Sequence, residues 1–302
     1  MSRSNTNYVG RFAPSPTGPL HFGSIVASLG SYLDAKYNKG TWLLRIDDLD
    51  MPRVESGAVE RILYALDNLG MHWDGSVVYQ SRRFEAYQEA EHVLESRDLL
   101  YRCYCSRKLI GGKPYPGTCR KKNSDMAGQY AIRIKTDREL YTLHDQIQPE
   151  YTQNLFKDIG DFIVKRADGL YAYHLAVALD DAYQKVSHIV RGADLMDSSP
   201  RQMYLQKQLS LPTPIYAHLP VALSLSGHKI SKQAKAVDVL LHNQPTTILV
   251  NCLSFLGQNP DKSLLESSVD EVIQWGIENW KFSTIPRMEA ITAPVNFRPE
   301  DH

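Results

Sequence analysis

The 302-residue chain lacks an apolar run of the roughly 20 residues needed to span a bilayer. It also lacks internal repeats and low-complexity linkers, so nothing divides it by composition. Residues 1–7 carry one Arg with no apolar segment behind it; no secretion signal is expected there, and a cytoplasmic location is the default. Charge of one sign is not in excess, because 34 basic side chains meet 34 acidic ones. That balance excludes a generic polyanion binder but leaves room for a local basic face. One such stretch holds Arg102, Arg107, Lys108, Lys113, Arg120, Lys121, Lys122, Arg133 and Lys135, with only Asp125 opposing them within it. It reads either as a solvated surface or as a set of phosphate contacts. Cysteine is scarce, and three of the four crowd together as Cys103, Cys105 and Cys119. Clustering in a chain without a secretion signal points to metal before disulfides. Cys252, alone in an apolar run, reads as a small core residue.

What is present is a strand–helix alternation. Strands are expected over residues 8–12, 41–46, 77–79, 130–134, 161–164 and 187–192, and helices over 24–37, 57–69, 83–97, 173–179 and 200–209. Short connections between alternating elements predict a parallel α/β sheet. The rhythm breaks over about residues 100–160, read as an insertion, and resumes with the strand at 161–164. After about residue 237 only helical patterns are expected. The expected division is 1–100 for the first half of a Rossmann-type catalytic domain, 101–160 for the insertion, 161–236 for the second half, and 237–302 for a small helical subdomain.

Two segments carry chemistry. In the first, Pro14-Ser15-Pro16-Thr17-Gly18-Pro19-Leu20-His21-Phe22-Gly23-Ser24, a turn that cannot be helix meets a helix start. Free N–H groups there favour phosphate, Gly23 allows a base or ribose close to the backbone, and His21 is able to donate to a phosphate oxygen as charge builds up. The second, His228-Lys229-Ile230-Ser231-Lys232-Gln233, sets two lysines around a small hydroxyl residue, a loop suited to a leaving pyrophosphate. Neither is a P-loop or a dinucleotide fingerprint. Taken alone, the first reads more readily as a structural histidine and the second as a solvated loop.

Together and in this order they resemble the His-Ile-Gly-His and Lys-Met-Ser-Lys-Ser signatures of class I aminoacyl-tRNA synthetases. The lead-in Arg11-Phe12-Ala13-Pro14-Ser15-Pro16-Thr17-Gly18 is similar to that of the glutamyl and glutaminyl branch, as are Leu44-Arg45-Ile46-Asp47-Asp48-Leu49-Asp50 and Val190-Arg191-Gly192-Ala193-Asp194-Leu195. The likeness covers most of residues 8–235. With only about seventy residues after Gln233, the chain lacks room for the usual anticodon-binding region and resembles the shortened paralogues, the glutamyl-queuosine tRNA(Asp) synthetase family. The resemblance implies a class I Rossmann fold and a cytoplasmic, monomeric ligase. It implies ATP as substrate, with magnesium, and L-glutamate and queuosine-bearing tRNA(Asp) as partners. Arg11, Phe12, Ala13, Pro14, Ser15, Asp47, Tyr173 and Arg191 would bind glutamate; His21, Gly23, Ser24 and Lys232 would bind ATP; His21, Lys229 and Lys232 would be catalytic. One structural zinc per chain would be held by Cys103, Cys105, Tyr115 and Cys119.

Three departures from the family pattern stand out: Asp47 replaces the usual Glu that meets the substrate ammonium, Ser24 replaces the second His, and Gln233 replaces the last Ser. The residue-level alternatives are ion-pair roles for Arg11 and Arg191, a core place for Tyr173, a turn-capping role for Asp47, and water or nothing in place of the Tyr115 ligand. At the level of function they are a shortened conventional glutamyl-tRNA synthetase charging tRNA(Glu), an inactive tRNA- or protein-binding paralogue, and, more remotely, a nucleotidyltransferase using the histidine motif.

Overall fold

The computed structural model describes residues 8–112, 114–121, 128–230 and 239–297. Among them no helix is long and apolar enough to cross a membrane. The first half builds β1 (Val9–Phe12), α1 (Phe22–Tyr37), β2 (Thr41–Ile46), α2 (Ala58–Asn68), β3 (Val78–Tyr79) and α3 (Phe84–Ser96). Its three strands pair in parallel in the order β1-β2-β3. Parallel strands bury both faces, which is why β2 reads Thr-Trp-Leu-Leu-Arg-Ile with little alternation and hides even Arg45.

Next come β4 (Leu100–Cys103), α4 (Arg107–Ile110), β5 (Ala131–Ile134), β6 (Leu140–Leu143), β7 (Tyr151–Asn154), α5 (Leu155–Asp158) and β8 (Phe162–Lys165). Strands β4-β5-β8 form an antiparallel sheet, and β6 and β7 form an antiparallel hairpin. The expected resumption of the parallel pattern at residues 161–164 is therefore corrected: that strand, β8, pairs antiparallel with β5. A four-residue apolar strand has no intrinsic pairing sense; the partner decides it.

The parallel layer resumes with α6 (Tyr173–Tyr183), β9 (His188–Gly192), α7 (Ser199–Leu209) and β10 (Ile215–Leu219). Helix α6 runs four residues past its expected end at 179. Ser187 joins the two halves, its N–H donating to the Val9 carbonyl and its hydroxyl accepting from the Val9 N–H, 2.9 Å each. Strand β11 (Val221–Leu223) leads to the lysine segment. The tail adds α8 (Val239–His242), α9 (Pro245–Phe255), α10 (Val269–Asn279) and β12 (Ala290–Thr292). Strand β12 pairs in parallel with β11, which corrects the expectation of helices alone after residue 237. Three residues are too few to carry a period.

Helix α1 is the centre of the main core. Ile25, Leu29 and Leu33 are fully buried with Trp42, Leu44 and Ile46 of β2 on one side and Leu249, Leu253 and Leu256 of the tail on the other. The tail therefore packs on the helix that carries the histidine signature. Gly30 of the same helix lets β10 pack closely on it: a Cβ there would sit 2.7 Å from a Leu219 methyl of β10. Cys252 lies in this core, fully buried.

Candidate active site

The carboxyl ends of β1, β2 and β9 and the start of α1 surround a cleft of about 500 Å³. Open parallel sheets place ligands at that end because helix starts and loops converge there. Its lining includes Arg11, Phe12, Ala13, Pro14, Ser15, His21, Gly23, Ser24, Asp47, Tyr173 and Arg191, so residues expected from four separate stretches meet in one cavity. Lys229 reaches it through an ion pair with the lining residue Asp194, at 3.5 Å. Lys232, Ser231 and Gln233 lie outside the described residues, as do Lys113, Lys122 and Asp125.

The inner part is a charge network. Asp181 of α6 accepts from Arg11 Nε at 3.2 Å and from Arg45 Nη1 at 2.7 Å, and Arg45 Nε donates to Asp47 at 2.7 Å. All four side chains are buried. Burial pushes the Asp181 carboxyl up, but Arg11 and Arg45 outweigh it and hold it down at about 2. Burial wins at Asp47, whose carboxyl is raised to about 6 although Arg45 pulls it down, with Asp180 and Asp181 adding to the rise. Of the guanidinium nitrogens buried with no hydrogen-bond partner among the described residues, two belong to arginines that line the cleft, Arg45 Nη2 and Arg191 Nη1; a third, Arg201 Nε, does not. An unpaired buried donor costs about 1–3 kcal/mol, so each cleft nitrogen is suited to an anionic ligand. Tyr173 is 36 % exposed and lines the cleft, which sets aside a core role for it.

The outer part is the start of α1. His21 is its N-cap: Nδ1 accepts the Ser24 N–H at 3.2 Å and Nε2 lies 3.0 Å from the Ser24 hydroxyl. Burial lowers the imidazole to about 4, against the opposing pull of Asp194, so the ring is neutral at pH 7. With Nδ1 accepting, the proton sits on Nε2, which makes this edge a donor. Across the cleft, β11 turns back at Gly227 so that Lys229 bridges to Leu223.

Outside the cleft, the three clustered cysteines bring their sulfurs within 4.8 Å of one another. Cys105 and Cys119 Sγ are 3.5 Å apart, and the Tyr115 hydroxyl is 3.3 Å from Cys103 Sγ and 3.5 Å from Cys105 Sγ. Sulfurs bound tetrahedrally to zinc at about 2.3 Å would stand roughly 3.8 Å apart, so three thiolates and one phenol fit that ion. Gly160, at φ +73°, lets this knot close: a Cβ there would overlap the Tyr115 backbone. The basic stretch is partly consumed here. Arg133 donates to Cys103 Sγ at 3.2 Å and Arg120 pairs with Asp161. Lys135 pairs with Asp98 at 2.9 Å. Asp125 is the one acid within that stretch, but the carboxylates of Asp98 and Asp161 from outside it fold onto its basic side chains.

The catalytic-domain model of the class I tRNA synthetases (E and Q) matches residues 8–112 and 117–278. The chain belongs to that family. Glutamyl-Q tRNA(Asp) synthetase of Dechloromonas aromatica is 47% identical, covering 96% of this chain and 100% of the relative. The protein of the same name from Pseudomonas fluorescens is 46% identical, covering 94% and 95%. Among solved structures, glutamate-tRNA synthetase from Elizabethkingia anophelis superposes with a TM-score of 0.78 at 24% identity, over 96% of this chain and 68% of that one. That likeness is one of fold.

Sequence reasoning missed the roles of Arg45, Asp181 and Asp194 in this class I synthetase cleft. A signal existed for Asp181: two adjacent acids, Asp180 and Asp181, interrupt the apolar helix sequence Leu175-Ala176-Val177-Ala178-Leu179. Charge within a buried helix implies a buried partner. Nothing in the sequence says which arginine it is.

Proposed function

We propose that the chain activates L-glutamate with ATP and transfers it to the queuosine wobble base of tRNA(Asp). The observation that carries the amino-acid half is the pair of buried, unpartnered guanidinium nitrogens of Arg45 and Arg191 in a cleft that also holds a neutral histidine at a helix start. An acidic amino acid suits the first feature and a nucleotide phosphate the second. Arg191, which no carboxylate neutralises among the described residues, draws in the substrate carboxylate, Arg11 and Arg45 add donors beside it, and Asp47, ionised above about pH 6, meets the substrate ammonium. The α-carboxylate then attacks the α-phosphorus of ATP, forming a new C–O–P bond as pyrophosphate leaves. His21 Nε2–H, Lys229 and Lys232 stabilise the charge that develops, so catalysis is positioning plus electrostatics without a protein nucleophile. In the second step a hydroxyl of the acceptor attacks the adenylate carbonyl and AMP leaves.

The acceptor rests on the near full-length relatives named glutamyl-Q tRNA(Asp) synthetase. Purified enzyme with ATP and labelled glutamate should esterify tRNA(Asp) that carries queuosine and leave the same tRNA with plain guanosine unlabelled. Mass analysis of nuclease fragments reads the position. Label on the 3′ end, or on both tRNAs equally, would instead favour a shortened enzyme that charges tRNA(Glu).

For the cysteine cluster we infer one structural zinc held by Cys103, Cys105, Cys119 and Tyr115. It would tie α4 and the following turn to the β4-β5-β8 sheet. Elemental analysis should find about one zinc per chain. Cys105→Ser should open residues 101–160 to protease while glutamate-dependent ATP–pyrophosphate exchange continues, because the parallel layer has its own core.

A further inference from the structure

We propose that Asp145 and His218 form a positioning relay for Arg191: Asp145 fixes the proton of His218 on Nδ1, and His218 Nε2 then holds the Arg191 guanidinium so that one of its edges faces the substrate carboxylate. The proposal rests on the reading of Arg191 as a glutamate-binding group.

The geometry is explicit. Asp145 lies in the turn between β6 and β7, and both its side chain and that of His218 are fully buried. Asp145 Oδ1 accepts three backbone N–H bonds, from Ile147 at 2.9 Å, Gln148 at 2.8 Å and His218 at 3.1 Å. Its other oxygen faces His218 Nδ1 at 2.5 Å. On the far side of the ring, Nε2 lies 3.0 Å from Arg191 Nε. An arginine Nε is always a donor, so His218 Nε2 must present a lone pair and the ring proton must be on Nδ1, aimed at Asp145. Burial lowers the His218 pKa and Arg191 lowers it further, while Asp145 raises it; the net lowering keeps the ring neutral and able to accept.

Arg191 is thereby constrained on two sides. Nε is held by His218, and Nη2 donates to Ser199 Oγ at 2.8 Å and to the Leu195 carbonyl at 3.3 Å. Nη1 is left buried without a partner. The contrast with Arg11 and Arg45 is chemical. Those two are paired with carboxylates, whereas Arg191 forms no ion pair among the described residues. A neutral histidine orients the guanidinium without cancelling its charge, so the full cation remains for an acidic ligand. A carboxylate in the place of His218 would orient Arg191 equally well and neutralise it.

The test is a tautomer inversion. Asp145→Asn keeps an oxygen for the three backbone N–H groups but turns an NH₂ toward His218 Nδ1. The ring proton must then move to Nε2, where it faces the Arg191 Nε–H, donor against donor. In glutamate-dependent ATP–pyrophosphate exchange the KM for glutamate should rise on the order of ten- to a hundredfold, the scale for losing an outer partner of an oriented ligand. The KM for ATP should not move. His218→Gln supplies Oε1 as the acceptor for Arg191 and should retain tight glutamate use. In that background Asp145→Asn should add no penalty, because no tautomer remains to invert. An unchanged KM for glutamate in Asp145→Asn, an equal rise for glutamate and ATP, or a full additional penalty in the Gln background would each overturn the relay. Imidazole ¹⁵N spectra of the wild-type enzyme, assigned by loss of the signal in His218→Gln, give a reading independent of substrate. A proton on Nδ1 agrees with the relay, and one on Nε2 overturns it. Wild-type enzyme showing the Nδ1 proton yet no glutamate-dependent exchange would sink the functional reading and leave the relay standing.

Discussion

At the inner end of the cleft, Arg11, Arg45, Asp47 and Asp181 are all buried and mutually bonded. At the outer end, Lys229 is about a third exposed and meets Asp194 at 3.5 Å, a long contact in reach of solvent. The inner charges were forced into partnership by folding, since an unpaired ion removed from water costs several kcal/mol. The outer charge was not, because an exposed pair contributes about 0–1 kcal/mol. The inner end is therefore organised before substrate arrives, whereas the lysine is free to trade Asp194 for a phosphate. An acidic side chain has to be recognised by fixed geometry. A leaving pyrophosphate has to be gripped and then released.

The strongest way to break this contrast is Asp181→Asn. It preserves shape but removes the carboxylate shared by two buried guanidinium groups, and should cost about 3–5 kcal/mol of stability, read from denaturant unfolding. The pH dependence follows from the sign of the shift. The Asp181 pKa is depressed, so its contribution is present above the unfolded value near 4 and is lost as pH falls through about 2. The gap between variant and wild type should narrow over that window by about 2–3 kcal/mol, the amount that a shift from about 4 to about 2 carries. A gap that does not narrow towards pH 2, or none at pH 7, would mean that the network is not what stabilises the inner end.

A smaller effect should appear at Asp47. Its carboxyl is raised, so ionisation works against the fold and the protonated form is favoured below about pH 6. Its stability contribution is present below the unfolded value near 4 and lost as pH rises through about 6. Substrate binding runs the other way, because a protonated Asp47 offers no charge to an ammonium. The KM for glutamate should rise by up to about tenfold per unit below pH 6, and Asp47→Asn should abolish that limb while raising KM at pH 7.5. A wild-type KM that is flat from pH 5 to 7.5 would refute the ammonium role.

The smallest stability effect is expected at the outer end. Lys229→Ala should change unfolding free energy by no more than about 1 kcal/mol, since the pair with Asp194 is exposed and long. Pyrophosphate exchange should nevertheless fall. A large loss of stability would show that the two ends are built alike.

The parallel half of the fold was legible because α1, α2 and α3 carry full helical periods, with α1 and α2 running into turns at Gly40 and Gly70, and because β2 is a nearly continuous apolar run between α1 and α2. Strands β4, β6, β7, β10, β11 and β12 were not legible: pairing with a partner strand rather than propensity makes each of them a strand. The site divides in the same way. His21, Arg11 and Arg191 announce themselves within short motifs. Their partners do not, since Asp181 meets Arg11 across 170 positions and Asp145 meets His218 across 73.

By itself the sequence determined which chemical groups are available and the local turns that present them: the Pro-rich entry to α1, the His21 cap, the lysine segment and the cysteine cluster. Those depend on φ restriction, free N–H groups and spacing over a few residues, all of which are local. Only the tertiary structure decided which charges are partnered and which are left for a ligand. Burial and pairing depend on what packs against a side chain from elsewhere in the chain. Arg45 and Arg191 are both plain arginines in the sequence; in the fold one is locked to Asp47 and Asp181, while the other is held by a neutral histidine with its charge intact.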